Sequence, residues 1–340
     1  MDFREYVESH REEIHSTIME YLPLKEPKDY ARIVREYSER QGKYVRPGLL
    51  MLCGEMFGAK PKDLLLPAAA MQLSEDWILM HDDVEDDSEL RRGKPALHKL
   101  YGMEHAINAG DAVHISMWRM LIDYSRKNGM AKGSRVFDKF YEILYRTTEG
   151  QYLDIKFTRD IRQIGKANEK MYYDIVNKKT SCYSVYGPMQ IGATVAGCSE
   201  KVTGALEEVG GSAGTAFQII DDVLDLTATE KAFGKRRYGD LYEGKLTLVM
   251  LETYKRATRA ERIKVDRIYK EERNEKTKAD IDFLAYLVDK YSGAHFASLA
   301  ALKYGEKAQV ALKKNMNLFP DNEYRDVFIS AVTALFVRKK

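Results

Sequence analysis

Apolar positions recur three and four residues apart along almost the whole chain, the period of helices that bury one face. Two such runs, Phe3–Leu22 and Lys28–Gln41, are parted by Pro23 and Pro27. A basic break, Gly42-Lys43-Tyr44-Val45-Arg46-Pro47, then opens a third that ends at Phe57. Pro61–Asp86 reads as one long helix rich in Ala, Leu and Met, with Glu75, Ile78, Asp82 and Asp86 on a single stripe. Glycine and proline stop it, so Asp87–Tyr101, which contains Arg91-Arg92-Gly93-Lys94-Pro95, is expected to be a loop. Helices follow at Glu104–Lys127, Ala131–Phe157 (with Thr148, Gln151 and Asp154), Glu169–Ala196 and Thr203–Thr227. A second Gly/Lys loop spans Thr229–Gly244, and helix resumes over Leu246–Arg256. The densely charged stretch Ala257–Lys278 reads as a solvated helix hairpin, and Ile281–Lys340 as two or three more helices.

No stretch alternates apolar and β-branched residues for long, so the pattern predicts an all-α protein. Only 8 prolines and no low-complexity linker interrupt it. The expectation is therefore one helical domain over residues 1–340, although 340 residues would suffice for two. Net charge is +2, which gives no bulk attraction to nucleic acid or to an anionic membrane. No run of about 18 apolar residues is present to span a bilayer. Met1–Glu20 reads as an amphipathic helix rather than a signal segment. Cys53, Cys182 and Cys198 are scattered and lack metal-ligand spacing, so they are expected to be reduced, in or near the core, in a cytoplasmic protein.

Two octads stand out from this pattern: Met80-His81-Asp82-Asp83-Val84-Glu85-Asp86-Asp87 and Ile219-Ile220-Asp221-Asp222-Val223-Leu224-Asp225-Leu226. Each is an Asp-Asp-x-x-Asp motif closing an apolar run. Helix geometry puts Asp82 beside Asp86, and Asp221 beside Asp225. Facing helices carrying such pairs would cage several hard dications, which take oxygen ligands and complete their shells with water and substrate phosphate. Basic Gly loops follow both motifs, and Lys43 and Arg46 form a third basic spot. No Gly-x-Ser-x-Gly, Cys/His pair, P-loop or dinucleotide fingerprint is present. His81, His98, His105 and His114 lack ligand spacing. The inventory suits a diphosphate held between metals and cations, with apolar helices lining room for a hydrocarbon tail. Loss of diphosphate to leave a carbocation is the chemistry this points to, with a second anionic substrate at Lys43 and Arg46.

These residues resemble the trans-isoprenyl diphosphate synthase (polyprenyl synthetase) family. The resemblance is carried in order by Gly42-Lys43-x-x-Arg46-Pro47; the first acidic motif with Leu90-Arg91-Arg92-Gly93-Lys94-Pro95; Ala109-Gly110-Asp111; Gly150-Gln151-x-x-Asp154; Lys179-Thr180; Phe217-Gln218 with the second acidic motif; and Gly234-Lys235 with Gly239-Asp240-Leu241-x-Glu243-Gly244-Lys245. It implies an all-α bundle around a deep central cavity, usually a homodimer. The implied activity is Mg²⁺-dependent condensation of an allylic diphosphate with isopentenyl diphosphate. Asp82, Asp86 and Asp221 are then the principal ligands of three Mg²⁺ ions, with Asp83, Asp222 and Asp225 in support. Arg91, Lys179 and Lys235 grip the allylic diphosphate, and Lys245 belongs to the same substrate-binding set. Gly42, Lys43, Arg46 and Arg92 take isopentenyl diphosphate. Thr180, Gln218 and Lys179 stabilise the developing cation.

One position departs from the family pattern. Seven residues before Asp82, where the family usually carries His or Gln against isopentenyl diphosphate, this chain has Glu75. A carboxylate there repels a diphosphate unless it is protonated or paired with Lys43, Arg46 or Arg92. The resemblance also implies that Trp77, five before Asp82, forms the floor that limits product length, with Ser74 and Ile78 beside it. That set resembles archaeal-type synthases with a C20 product, C15 being second. Two other readings remain at this point. A class I terpene cyclase would share the acidic helices but has no use for Gly42-Lys43-x-x-Arg46. A non-catalytic partner subunit would generally lack some of the six aspartates or the loop lysines.

Overall fold

The computed structural model describes residues 1–23, 27–227 and 238–336. Helices make up nearly all of it, and the one sheet among these residues is a two-stranded hairpin. None of the described helices is long and apolar enough to cross a membrane. The described residues fall into two compact units. The first comprises residues 1–142, 187–206 and 315–331; the second comprises 143–186, 207–314 and 332 onward.

In the first unit, α1 (Phe3–Tyr21) starts at a capping box in which Asp2 and Glu5 bond each other's backbone N–H groups. It is followed by α2 (Lys28–Glu39), α3 (Val45–Met56) and α4 (Pro61–Glu85), which starts on proline at its first turn. The Ala68-Ala69-Ala70-Met71 stretch of α4 is fully buried. Next come α5 (Leu97–Tyr101) and α6 (Met103–Asn128), and α6 packs along α4. Gly110 of α6 is required there, because a Cβ at that position would overlap the His81 ring. The expected loop after α4 is more ordered than its sequence suggested. Leu90–Arg91 pairs antiparallel with Lys94–Pro95 across a tight turn in which Arg92 and Gly93 both have positive φ.

α7 (Met130–Ile155) leads into the second unit. The predicted helix Glu169–Ala196 is not uniform. It begins as α8 (Glu169–Ile175), widens to i→i+5 geometry over Val176–Tyr186, and closes as α9 (Gly187–Val195). Small residues bring neighbouring helices onto the widened stretch. A Cβ on Gly150 of α7 would collide with the Lys178–Lys179 backbone, and one on Gly214 of α10 (Glu200–Thr227) with Ser181. The remaining α-helices are α11 (Gly239–Glu243), α12 (Leu248–Arg256), α13 (Arg259–Lys270), α14 (Lys278–Lys290), α15 (Gly293–Asn315) and α16 (Glu323–Phe336), the last lying mostly in the first unit. Phe157, Tyr172, Val249, Tyr269 and Leu284 belong to this unit's core. The solvated hairpin expected over Ala257–Lys278 is instead the single helix α13 with Val265, Ile268 and Tyr269 buried; the charges lie on its other side. Cys53 and Cys182 are buried, Cys198 is half-buried, and all three are free thiols.

Candidate active site

In the first unit the acidic motif ends α4, and its three aspartates separate by environment. Asp82 and Asp86 keep part of their surface open, whereas Asp83 is fully buried. The Tyr37 hydroxyl donates to Asp83 Oδ2 at 2.6 Å, and Arg91 grips the same carboxylate with Nε (2.9 Å to Oδ2) and Nη2. Burial opposes the charge on Arg91, but Asp83 outweighs it and holds the guanidinium above its usual range. Tyr37 is the hinge of this corner: its hydroxyl also accepts the Leu97 N–H at 3.0 Å, and burial with the Asp83 charge pushes its own pKa up.

The basic spot predicted around Gly42 lies close by in the same unit. Arg46 Nη1 meets Glu75 Oε2 at 2.9 Å, and Arg92 Nη2 lies 3.6 Å from Glu75 Oε1. Arg92 also donates to Asp76 Oδ1 at 2.8 Å and to the Tyr37 carbonyl. A Cβ on Gly42 would come within 3.0 Å of Arg92 Nη2, so glycine makes room for the guanidinium. Lys43 is exposed. Burial alone would raise the Glu75 pKa, but Arg46 and Arg92 outweigh it and hold Glu75 below the usual carboxylate range. Asp76 goes the other way: burial dominates over Arg92 and the Ser38 hydroxyl, and its pKa is raised. The pairing that Glu75 requires is therefore present, through two of the three cations expected for it.

Seven residues before Asp82 on the same helix face is one landmark, and Trp77 is the other. Its ring lies 4.6 Å from His114 at a 35° tilt and 5.7 Å from His81. Trp118 Nε1 donates to His114 Nε2 at 2.7 Å, which fixes the tautomer, and burial lowers the His114 pKa. Ser74 is buried and donates to the Met71 carbonyl at 2.7 Å; Ile78 is half-buried.

The second unit repeats part of this plan. Asp221 is half-buried, while Asp222 is buried and accepts from the Tyr172 hydroxyl at 2.7 Å and from Gln218 Nε2 at 2.8 Å. Burial and the neighbouring Asp221 raise the Asp222 pKa against those two hydrogen bonds. Thr180 donates to Gln218 Oε1 at 2.8 Å, so Thr180, Gln218, Asp222 and Tyr172 form one chain of hydrogen bonds. Lys179 Nζ lies 2.7 Å from Asp154 Oδ2. The third aspartate breaks the symmetry. Asp225 is buried and accepts the N–H groups of Gly239 (3.1 Å) and Asp240 (3.2 Å), anchoring α11. Lys245 pairs with Glu243 at 2.7 Å. Lys235, named by the resemblance, lies outside the described residues, as do Gly234, Arg236, Arg237 and the basic C-terminus Val337–Lys340.

Among the described residues no three His, Cys, Asp or Glu side chains converge into a closed metal cage. Tyr37, Tyr172 and Asp76 are the residues that sequence reasoning missed. Buried tyrosines carry no motif, and nothing in the chain's 22 tyrosines marks two of them as carboxylate partners.

An all-α fold carrying two Asp-Asp-x-x-Asp motifs, with Arg91 gripping Asp83 of the first, fits an enzyme of diphosphate chemistry. The chain belongs to the Polyprenyl synthetase family, whose profile matches residues 27–286. It is 34% identical over 246 residues to a geranylgeranyl diphosphate synthase of Methanosarcina mazei, covering 72% of this chain and 74% of that one. It is 35% identical over 225 residues to a geranylfarnesyl diphosphate synthase of Aeropyrum pernix, covering 65% and 69%. The crystal structure of a polyprenyl synthase from Caulobacter crescentus, in complex with calcium and isoprenyl diphosphate, superposes with a TM-score of 0.85 at 25% identity over 99% of this chain and 97% of that chain. The chain is a prenyltransferase with the all-α fold of these synthases.

Proposed function

We propose that the chain is a Mg²⁺-dependent synthase that joins an allylic diphosphate (C5–C15) to isopentenyl diphosphate. Geranylgeranyl diphosphate (C20) is the product, and farnesyl diphosphate (C15) the shorter alternative. The observation that carries this reading is the division among the six aspartates. Asp82, Asp86 and Asp221 are half-buried, with part of their surface exposed, whereas Asp83, Asp222 and Asp225 are buried. The half-buried three are the ligands we assign to three Mg²⁺ ions, and the calcium in the Caulobacter relative supports dication use. The bound metal supplies Lewis-acid stabilisation of the charge that builds on the leaving diphosphate.

The side chains do the rest. Lys179, Lys235, Arg91 and Lys245 hold the allylic diphosphate; Gly42, Lys43, Arg46 and Arg92 hold the isopentenyl diphosphate. The allylic C–O bond breaks with its electron pair on the departing diphosphate. The isopentenyl double bond attacks the allylic cation, and the proton released goes to that diphosphate. Thr180 and Gln218, bonded to each other, are the polar groups beside the developing cation. Trp77, backed by His114, forms the floor of the chain cavity with Ser74 and Ile78. Residues 1–340 act as one catalytic domain, in a cytoplasmic homodimer.

The test incubates purified protein with Mg²⁺, labelled isopentenyl diphosphate and, in parallel, C5, C10 and C15 allylic diphosphates, and sizes the dephosphorylated products. The expected result is a dominant C20 alcohol, moving to longer alcohols in Trp77→Ala. A C15 stop replaces the product but keeps the reaction. Allylic substrate consumed to hydrocarbon without incorporation would make the protein a cyclase and overturn the reading.

A further inference from the structure

Two carboxylates sit among the cations around Gly42, and they differ in how they are held. Asp76 is fixed. It is 1% exposed, and three donors close on it: Ser38 Oγ at 2.7 Å, Arg92 Nη2 at 2.8 Å and Gln72 Nε2 at 3.3 Å. Glu75, one residue earlier, keeps 14% of its side chain exposed, and its close contacts are to the two arginines alone, one per oxygen. It thus offers Arg46 and Arg92 what a phosphate would offer them: an anion with two oxygens, presented to two guanidinium forks.

We propose that Glu75 is a built-in competing anion of the isopentenyl diphosphate subsite, and that its displacement from Arg46 and Arg92 sets this enzyme's affinity for that substrate. The inference rests on the assignment of Gly42, Lys43, Arg46 and Arg92 made above. Three lines of argument support it. First, the charge balance of the cluster is nearly closed before any substrate arrives: Lys43, Arg46 and Arg92 against Glu75 and Asp76 leave a small positive excess, where a diphosphate needs several positive charges. Second, Glu75 is ionised in this setting, because the arginines hold its pKa down despite burial. It is therefore a true counter-charge and not a neutral hydrogen-bond donor of the kind His or Gln would supply. Third, Arg92 keeps a non-glycine positive φ of 53° while its guanidinium is braced by Asp76, the Tyr37 carbonyl and Glu75. A braced guanidinium is a preorganised anion receptor: Asp76 takes its closest position at 2.8 Å, and Glu75 stands beside it at ion-pair distance, 3.6 Å. Glu75 lies seven residues before Asp82, about 10 Å along the same helix face, so it is separate from the carboxylates assigned to metal.

Steady-state kinetics of the full chain with Mg²⁺ separate the possibilities. In Glu75→Gln the KM for isopentenyl diphosphate falls about tenfold or more, while the KM for the allylic diphosphate and the Mg²⁺ activation curve stay where they are. Binding of inorganic diphosphate without metal, followed calorimetrically, tightens in the same variant. If Glu75→Gln fails to keep its helical circular dichroism, Glu75→His supplies the same test with the residue type the family usually has. An unchanged or higher KM for isopentenyl diphosphate in a folded variant overturns the proposal and makes Glu75 a brace that positions the arginines. A shifted Mg²⁺ curve overturns it too, because Glu75 would then be handling metal. Arg46→Met tells this failure from failure of the subsite itself. A KM for isopentenyl diphosphate that rises in Arg46→Met keeps the subsite whatever Glu75 does; one indifferent to it removes the subsite, and the inference with it.

Discussion

The second aspartate of each motif is a buried acid that accepts a tyrosine hydroxyl. Asp83 has Tyr37 and the two-pronged Arg91; among the described residues Asp222 has hydrogen bonds from Tyr172 and Gln218 and feels the Lys245 charge, without a two-pronged arginine. Removing one hydrogen bond from a buried carboxylate costs about 1–3 kcal/mol, and more where nothing else offsets the charge. Tyr172→Phe is therefore expected to destabilise the protein by about 2–3 kcal/mol, and Tyr37→Phe by about 1 kcal/mol, because the Arg91 fork survives. Urea unfolding of the two variants measures both. Equal costs would mean that Arg91 contributes little to holding Asp83, and the account of that corner would fall.

Among the elements, α11 shows how a short piece of helix is kept in place. Asp225 accepts its first two N–H groups, and Lys276 Nζ donates to the carbonyls of Leu241 (3.2 Å) and Tyr242 (2.7 Å) at its other end. Burial, with the charge of Arg162, brings the Lys276 pKa down to about 8. In the unfolded chain the group holds its proton up to about 10.5. Between those values unfolding takes up a proton, so raising the pH disfavours unfolding. The wild type should gain about 3 kcal/mol over Lys276→Met between pH 8 and 10.5, and the difference between the two should be flat below pH 8. Unfolding free energies of both proteins at pH 7, 9 and 10.5 measure it; a difference independent of pH would show that Lys276 keeps its ordinary pKa.

The same elements show what a sequence can and cannot tell. Helix ends were legible to within two or three residues at Pro61 and Gly129, because proline and glycine act locally, but α5 (Leu97–Tyr101), between Pro95 and Gly102, fell in a stretch expected to be loop. The widening over Val176–Tyr186 was not, since it accompanies the close approach of Gly150 and Gly214, which are distant in sequence. The turn at Arg92-Gly93 was half legible: glycine marks it, but a positive φ at arginine has no signature. In α13 the charges masked a buried set, Val265, Ile268 and Tyr269, whose three- and four-residue spacing was there to be read. For the site, the aspartates and arginines were visible as motifs. Which aspartates are buried goes with Tyr37, Tyr172 and the N-terminus of α11, which only folding brings to them.

At the scale of the whole molecule, the three half-buried aspartates of the two motifs are divided between the two units: Asp82 and Asp86 in one, Asp221 in the other. One or two carboxylates in water bind Mg²⁺ weakly, because the ion gives up its hydration reluctantly and needs near-octahedral oxygen ligands. A diphosphate brings several such oxygens together with negative charge. Metal and diphosphate should therefore bind as a set: calorimetry with Mg²⁺ alone should give little heat, and Mg²⁺ binding should tighten at least about tenfold when inorganic diphosphate is present. By reciprocity diphosphate should tighten by the same factor when Mg²⁺ is added. Chelation should abolish turnover, and Asp82→Ala and Asp221→Ala should each reduce it by about a hundredfold or more, since each removes a carboxylate proposed to hold metal. If tight Mg²⁺ binding appeared without diphosphate, the protein would hold a preformed metal centre that the half-buried aspartates do not explain. If turnover survived both substitutions, the metal would be held elsewhere, and the division of the aspartates into half-buried and buried sets would lose its functional meaning.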